Sequence, residues 1–159
     1  MTERQPTDDD ALANDLIVTS ARLVRLVRYR ADVDDSTATW RALSILAERG
    51  PLRVSDFAAI DRLSQPSATA ILRRLREEGA VESVPDPADG RASLISLTAL
   101  GEARLARLRA AGVAAVTPLL AGLDEADRAT LRRASDLLDE LTRLPQSHPD
   151  TASPEGTRE

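Results

Sequence analysis

The residue types that carry out chemistry are thinly spread in this chain. There is no cysteine, which excludes disulfides, thiolate metal sites and thiol redox sensing. The single histidine, His148, sits in a polar, proline-containing stretch, so neither a histidine-based dyad nor a multi-histidine metal site can be assembled within one chain. No pair of acids, hydroxyl nucleophile or phosphate loop stands in a context that would make an enzyme. No catalytic residue, metal or cofactor is expected. What remains is a concentration of hydrogen-bonding and cationic side chains in one segment: Ser64, Gln65, Pro66, Ser67 and Thr69, then Arg73 and Arg74. Uncharged hydrogen-bonding groups in the first turns of a helix suit base edges, and arginines further along suit phosphates or bases. Gln65, Ser67 and Thr69 are the candidate base readers, Arg73 reaches a base or a phosphate, and Arg74 clamps a phosphate.

Such a segment needs elements that present it. Ala68, Ile71, Leu72 and Leu75 fall at i, i+3, i+4 and i+7, one buried helical stripe, which leaves Pro66, Ala70, Arg73 and Glu77 on the opposite face. Ser64 caps this helix, Pro66 is allowed in its first turn and Gly79 ends it. A shorter helix over 56–61, capped by Ser55, precedes it with Phe57, Ala58 and Ile60 as its apolar residues. Two extended segments follow, 80–84 and 93–97, around the turn-rich loop Asp86-Pro87-Ala88-Asp89-Gly90-Arg91. Two short helices, a tight turn and a hairpin are the parts of a winged helix. Arg91 at the hairpin tip could enter an adjacent minor groove, which draws in guanidinium groups where it is narrow.

On both sides the pattern is helical. A first helix spans about 9–30, with Leu12, Leu16, Leu23, Leu26 and Val27 at helical spacing. Asp34-Asp35-Ser36 offers an N-cap for a second, whose inner face holds Trp40, Leu43 and Leu46 and which ends at Gly50-Pro51. A long fifth helix follows Thr98, bent or tightened by Pro118 near its end. A sixth begins at Leu123-Asp124-Glu125 with Leu131, Ala134, Leu138 and Leu141 in one stripe. The composition agrees: 42% hydrophobic yet 2% aromatic, the stock of packed aliphatic helices. The expected fold class is therefore mainly α (α+β). A winged helix-turn-helix over 36–97 combines with a helical dimerisation domain from 9–35 and 98–144, between flexible tails at 1–8 and 145–159. The stripes of the outer helices find no obvious partner in so small a body. Packing Leu12, Leu16, Leu119, Leu131, Leu138 and Leu141 against a second copy would bury them; the alternative is a monomeric helical core.

Charge alone leaves the function open. The net charge is −5 and every basic residue is arginine, a preference that suits groove contacts or reflects genomic base composition. Arg73, Arg74 and Arg76 could form an ordinary solvated helix face, and Asp89 with Arg91 a polar hairpin tip. What favours DNA is that Glu77 and Glu78 fall at the far end of the helix, away from the groove-reading turns. A winged-helix module that contacts proteins instead of DNA is the rival reading. The polar, acidic start contains no signal-peptide run and no stretch approaches a membrane span, so a cytoplasmic location and no membrane partner are expected.

The run Asp61-Arg62-Leu63-Ser64-Gln65-Pro66-Ser67-Ala68-Thr69-Ala70-Ile71-Leu72-Arg73-Arg74-Leu75 with Glu78-Gly79-Ala80-Val81 resembles the recognition helix of the MarR family. Asp86 to Ala92, with Leu97-Thr98-Ala99-Leu100-Gly101, is similar to that family's wing and the start of its long helix. The resemblance covers nearly all of residues 9–144. It implies a bacterial transcription regulator, a repressor, whose two copies intertwine at both chain ends and read a pseudo-palindromic operator in double-stranded DNA. It also implies DNA contacts by Gln65, Ser67, Thr69, Arg73 and Arg91, with Asp89 bracing Arg91. Many relatives release DNA when a small aromatic or phenolic effector binds between the dimerisation helices and the winged helix. Tyr29 and Trp40 lie near that place, though packing alone would explain them. Two places depart from the family pattern. Ala70 stands where many relatives have arginine, and Val84-Pro85 where basic residues are frequent.

Overall fold

The computed structural model describes residues 7–31 and 35–143. The tail expected over 145–159, His148 and Asp34 of the expected cap lie outside the described residues, as does the side chain of Arg91. In chain order the elements are α1 (Asp8–Ala31), α2 (Thr37–Arg49), α3 (Val54–Ile60), α4 (Gln65–Glu77), β1 (Val81–Asp86), β2 (Asp89–Leu97), α5 (Ala99–Leu120) and α6 (Glu125–Arg143). The fold is that of a mainly helical chain with one hairpin, as its periodicity predicts. It divides into two compact units, one through Pro118 and one from Leu119 onward.

Local chemistry sets the helix ends. Thr7 and Asp10 form a reciprocal cap on α1: the Asp10 N–H donates to Thr7 Oγ1 at 3.2 Å and the Thr7 N–H to Asp10 Oδ2 at 2.8 Å. Ser36 caps α2 by accepting the Thr39 N–H at 3.2 Å, and Gly50, at φ 77°, returns its N–H to the Leu46 carbonyl. The third helix departs from expectation. It starts at Val54, so Ser55 lies inside it, and the capping position is held by Arg53, whose side chain makes no cap bond. That side chain is engaged elsewhere, as described below.

In the first unit, Ala42, Leu43 and Leu46 of α2 meet Phe57 and Ala58 of α3, Ala68, Leu72 and Leu75 of α4, Val81 and Ile95 of the hairpin, and Leu105 and Leu108 of α5 in a single buried cluster. The apolar stripe read from α4 is thus its inner face. The strands pair antiparallel from Val81↔Leu97 to Pro85↔Ser93, and the register shifts so that Asp86 opposes Asp89. Leu52 adds a third edge by exchanging both backbone hydrogen bonds with Ile95, at 3.1 and 2.8 Å. Both strands outrun the expected 80–84 and 93–97, because Asp86 ties down the turn and lets Asp89, Gly90 and Arg91 join the second strand.

α5 leaves the hairpin under tight control. The Thr98 hydroxyl donates to the Gly79 carbonyl at 2.6 Å and accepts the Gly101 N–H at 3.1 Å. A Cβ on Gly101 would stand 2.0 Å from the Ala80 carbonyl oxygen, so only glycine permits this approach. α5 runs through Pro118 to Leu120; the proline withholds the N–H that would bond the Ala114 carbonyl, a loss confined to the last turn of the helix. In the second unit, Asp124 caps α6 by accepting the Asp127 N–H at 2.8 Å. No residue of α1 or of α6 is buried.

Candidate nucleic-acid interface

The turn between α3 and α4 is built from backbone bonds: the Leu63 N–H reaches the Ala58 carbonyl at 2.9 Å and the Arg62 N–H the Ala59 carbonyl at 3.3 Å. This is a Schellman closure, whose left-handed residue is usually glycine; here it is Arg62, at φ 50°. Asp61, in the same turn, is gripped by both arms of Arg41 from α2, at 2.8 and 2.9 Å. α4 ends the same way, with Gly79 at φ 72° and the Ala80 N–H on the Leu75 carbonyl at 2.8 Å.

Between those two closures α4 exposes the expected face. Gln65, Pro66, Ser67, Thr69, Ala70 and Arg73 are all exposed, whereas Ala68, Leu72 and Leu75 are buried. Ser64 caps the helix by accepting the Ser67 N–H at 3.3 Å, and the two hydroxyls lie 2.8 Å apart. The Thr69 hydroxyl donates to the Gln65 carbonyl at 2.8 Å, which leaves its lone pairs as acceptors for an incoming donor. Arg73 extends into solvent, with Glu77 no nearer than 3.9 Å. Arg74 turns toward α2 instead: its Nη2 donates to Thr39 Oγ1 at 2.8 Å and to Ser36 Oγ at 3.3 Å. About half of its side chain stays exposed (47%).

The hairpin stands on an ion pair that sequence reasoning missed, buried at its Asp86 end and half-exposed at Arg53. Asp86 is 8% exposed. Its Oδ2 accepts Arg53 Nε at 2.9 Å and Nη2 at 2.6 Å, and its Oδ1 accepts the Ala88 N–H at 2.9 Å. That backbone N–H, and then the guanidinium, hold the Asp86 carboxyl below the usual carboxylate range. Asp89 lies 3.9 Å from the same guanidinium. The bond from Asp89 to Arg91 that the resemblance implied lies outside the described residues. An arginine at a helix-capping position, where Ser, Thr, Asp or Asn is usual, was the available signal.

Tyr29 and Trp40 border one cavity of about 860 Å³, whose wall also includes Leu23, Val24, Val27, Leu108, Arg25, Arg28 and Asp35. Tyr29 is 87% exposed, and the Trp40 ring lies 3.2 Å from where a Cβ on Gly112 would stand. Arg25 and Arg28 form no ion pair among the described residues. The described residues contain no cluster of His, Cys, Asp or Glu suited to a metal ion, and no helix among them is long and apolar enough to cross a membrane. Of the expected dimerisation residues, Leu12, Leu131 and Leu141 are 50% or more exposed in the single chain; Leu16, Leu119 and Leu138 are also exposed.

Comparison with known proteins places this geometry. The model of the MarR family matches residues 36–93, the helix-turn-helix and most of its hairpin. An uncharacterized HTH-type transcriptional regulator of Mycobacterium bovis is 34% identical over 133 residues, covering 82% of this chain and 93% of that protein. The HTH-type transcriptional repressor IacR of Pseudomonas putida is 31% identical over 113 residues, covering 70% of this chain and 66% of its own. Among solved structures, that of Bordetella bronchiseptica BpsR superposes with a TM-score of 0.61 at 20% identity, over 89% of this chain and all of that one. The DNA binding of BpsR is regulated by 6-hydroxynicotinic acid.

Proposed function

Because this chain belongs to the MarR family of DNA-binding transcriptional regulators, which are not enzymes, we propose that it is a homodimeric repressor that reads a pseudo-palindromic operator. In this reading the first turns of α4 enter the major groove. Gln65, Ser67 and Thr69 address base edges and Arg73 a base or phosphate, with Ser64, Pro66 and Arg74 completing the surface. The hairpin, with Arg91 at its tip and Asp89 beside it, lies along the neighbouring minor groove. The observation that carries the proposal is the exposed outer face of α4, rich in hydrogen-bonding groups and opposite a stripe in which Ala68, Leu72 and Leu75 are buried and Ile71 partly so.

Dimerisation rests on α1 and α6, neither of which buries a residue within its own chain although each carries a leucine stripe. A twofold pair would set the two recognition helices about 34–36 Å apart, one turn of DNA. The relative IacR is a transcriptional repressor, which supports repression here. A small aromatic or phenolic effector, held near Tyr29 and Trp40, would fit the apolar cavity and its Arg25 and Arg28, which form no ion pair among the described residues. The site of action would be the cytoplasm, where the DNA is.

Footprinting the purified protein on the DNA flanking its own gene tests the reading. We expect protection of two half-sites about one helical turn apart, with affinity falling steeply as salt rises. No retardation at low salt on any genomic fragment would leave the winged helix as a protein-interaction module.

A further inference from the structure

A closed circuit of hydrogen bonds and ion pairs joins the cavity wall to the C-terminal end of α4. At its centre is Arg104, in the second turn of α5 and 20% exposed. Its Nε donates to Asp35 Oδ2 at 3.1 Å and its Nη2 to the other oxygen of the same carboxylate. Its Nη1 donates to Glu78 Oε2. Glu78 is the C-cap of α4, and its second oxygen lies 3.7 Å from Arg74 Nε. Arg74 closes the circuit by donating to Ser36 and Thr39 at the start of α2. Asp35 and Ser36 are also cavity wall. Asp35 is 9% exposed, so little solvent screens its pairing with Arg104.

We infer that Arg104 is a positioning residue for DNA reading: through Glu78 it holds the far end of α4, and through Asp35 it couples that hold to the cavity. This rests on α4 being the recognition element. The leverage is geometric. Thirteen residues make a helix about 20 Å long, so a tilt of about 3° at its C-cap carries the base-reading end by on the order of 1 Å. That displacement is enough to misplace hydrogen bonds to base edges. The circuit spans residues from three elements, so whatever separates Asp35 from Arg104 at the cavity also loosens Arg104 from α4. Linkage makes the effect reciprocal: DNA that fixes α4 must in turn change the cavity wall.

Trp40, the chain's only tryptophan, lines that cavity and reports it without any effector. The experiment saturates the wild type, Glu78→Gln, Arg104→Lys and Arg73→Ala proteins with the footprinted duplex and records dissociation constants and Trp40 emission. Thermal unfolding is run on each to establish a cooperative fold. Glu78→Gln removes one charge from the exposed end of the circuit, and it decides the matter should Arg104→Lys fail to fold. We expect a shift of Trp40 emission in the wild type. Glu78→Gln and Arg104→Lys should bind about 2- to 30-fold more weakly and lose at least half of that shift at saturation. Arg73→Ala should bind more weakly but keep the full shift, since it lies outside the circuit. The inference is overturned if Glu78→Gln binds like the wild type while Arg73→Ala is weakened, if Glu78→Gln keeps the whole shift, or if the wild type shows none. Should Arg73→Ala also bind like the wild type, the assignment of α4 as the recognition element fails first, and the inference with it.

Discussion

At the level of single side chains, the arginines divide by what they already hold. Arg41, Arg53 and Arg104 are committed to Asp61, Asp86 and the Asp35–Glu78 pair, whereas among the described residues Arg73 has only a distant Glu77 and is available to a phosphate or base. Arg73→Ala is therefore expected to weaken operator binding and to flatten the dependence of log affinity on log salt by about one unit of slope. A titration series at several salt concentrations measures both, and an unchanged slope would remove Arg73 from the phosphate contacts. Asp86 makes a separate prediction. Its carboxyl ionises more readily folded than unfolded, so its contribution is complete above the unfolded value, near pH 4, and is lost as pH falls through the lower folded value. Asp35 follows the same rule, with the hydrogen bond from Arg104 as the main cause. Stability should decline below about pH 4, and Asp86→Asn should shallow that acid limb in denaturant melts; an identical limb would show that Asp86 does not contribute to it. Ser64 as a cap was legible from neighbouring residues alone. The partnership of Arg53 with Asp86, 33 positions away, was not, because local spacing carries no information about which distant strand turn will face a helix start.

At the level of elements, periodicity did most of the work. The stripe on α4 and the glycine closures at 50 and 79 lie where the spacing of apolar residues and turn formers predicts. α3 and the hairpin were misjudged at their edges for one shared reason. Ser55 is a good cap by type, but Arg53 is fixed by its bond to the wing, and that bond starts the helix earlier while Asp86 tightens the turn. The Arg104 circuit, whose members stand up to 69 positions apart, was likewise invisible, since each arginine and acid reads alone as solvated surface. The crossing of α5 over the hairpin base makes the sharpest element-scale prediction. Gly101→Ala forces a Cβ chiefly against the Ala80 backbone, which cannot rotate away as the nearby Leu97 side chain could, and should cost about 1–3 kcal/mol. Gly122→Ala, with nothing within 4 Å of its added carbon, is the matched control and should change stability little. Thermal unfolding of the two variants decides; equal melting temperatures would mean that α5 can lift from Ala80 freely.

At the level of the whole molecule, the single chain leaves its outer helices without cover. Leu16 and Leu138 are exposed in the lone chain, so Leu16→Asp and Leu138→Asp should leave the winged helix folded while removing the apolar surface that a second copy would bury. Sedimentation equilibrium is expected to give a dimer for the natural sequence and a monomer for the double variant, with a large loss of operator affinity. A double variant that remains dimeric would place the interface elsewhere. The exposed stripes were legible, because leucines at helical spacing without internal partners show in the sequence, but which residues would meet across a proposed pair does not. In the proposed pair, a helix such as α1, which buries nothing in its own chain, would also make potency depend on dosage. Where pairing is weak, the concentration of competent pairs rises with the square of copy number. A gene under such control would switch over a narrow range of abundance, and halving expression would cost the cell far more than half of its silencing.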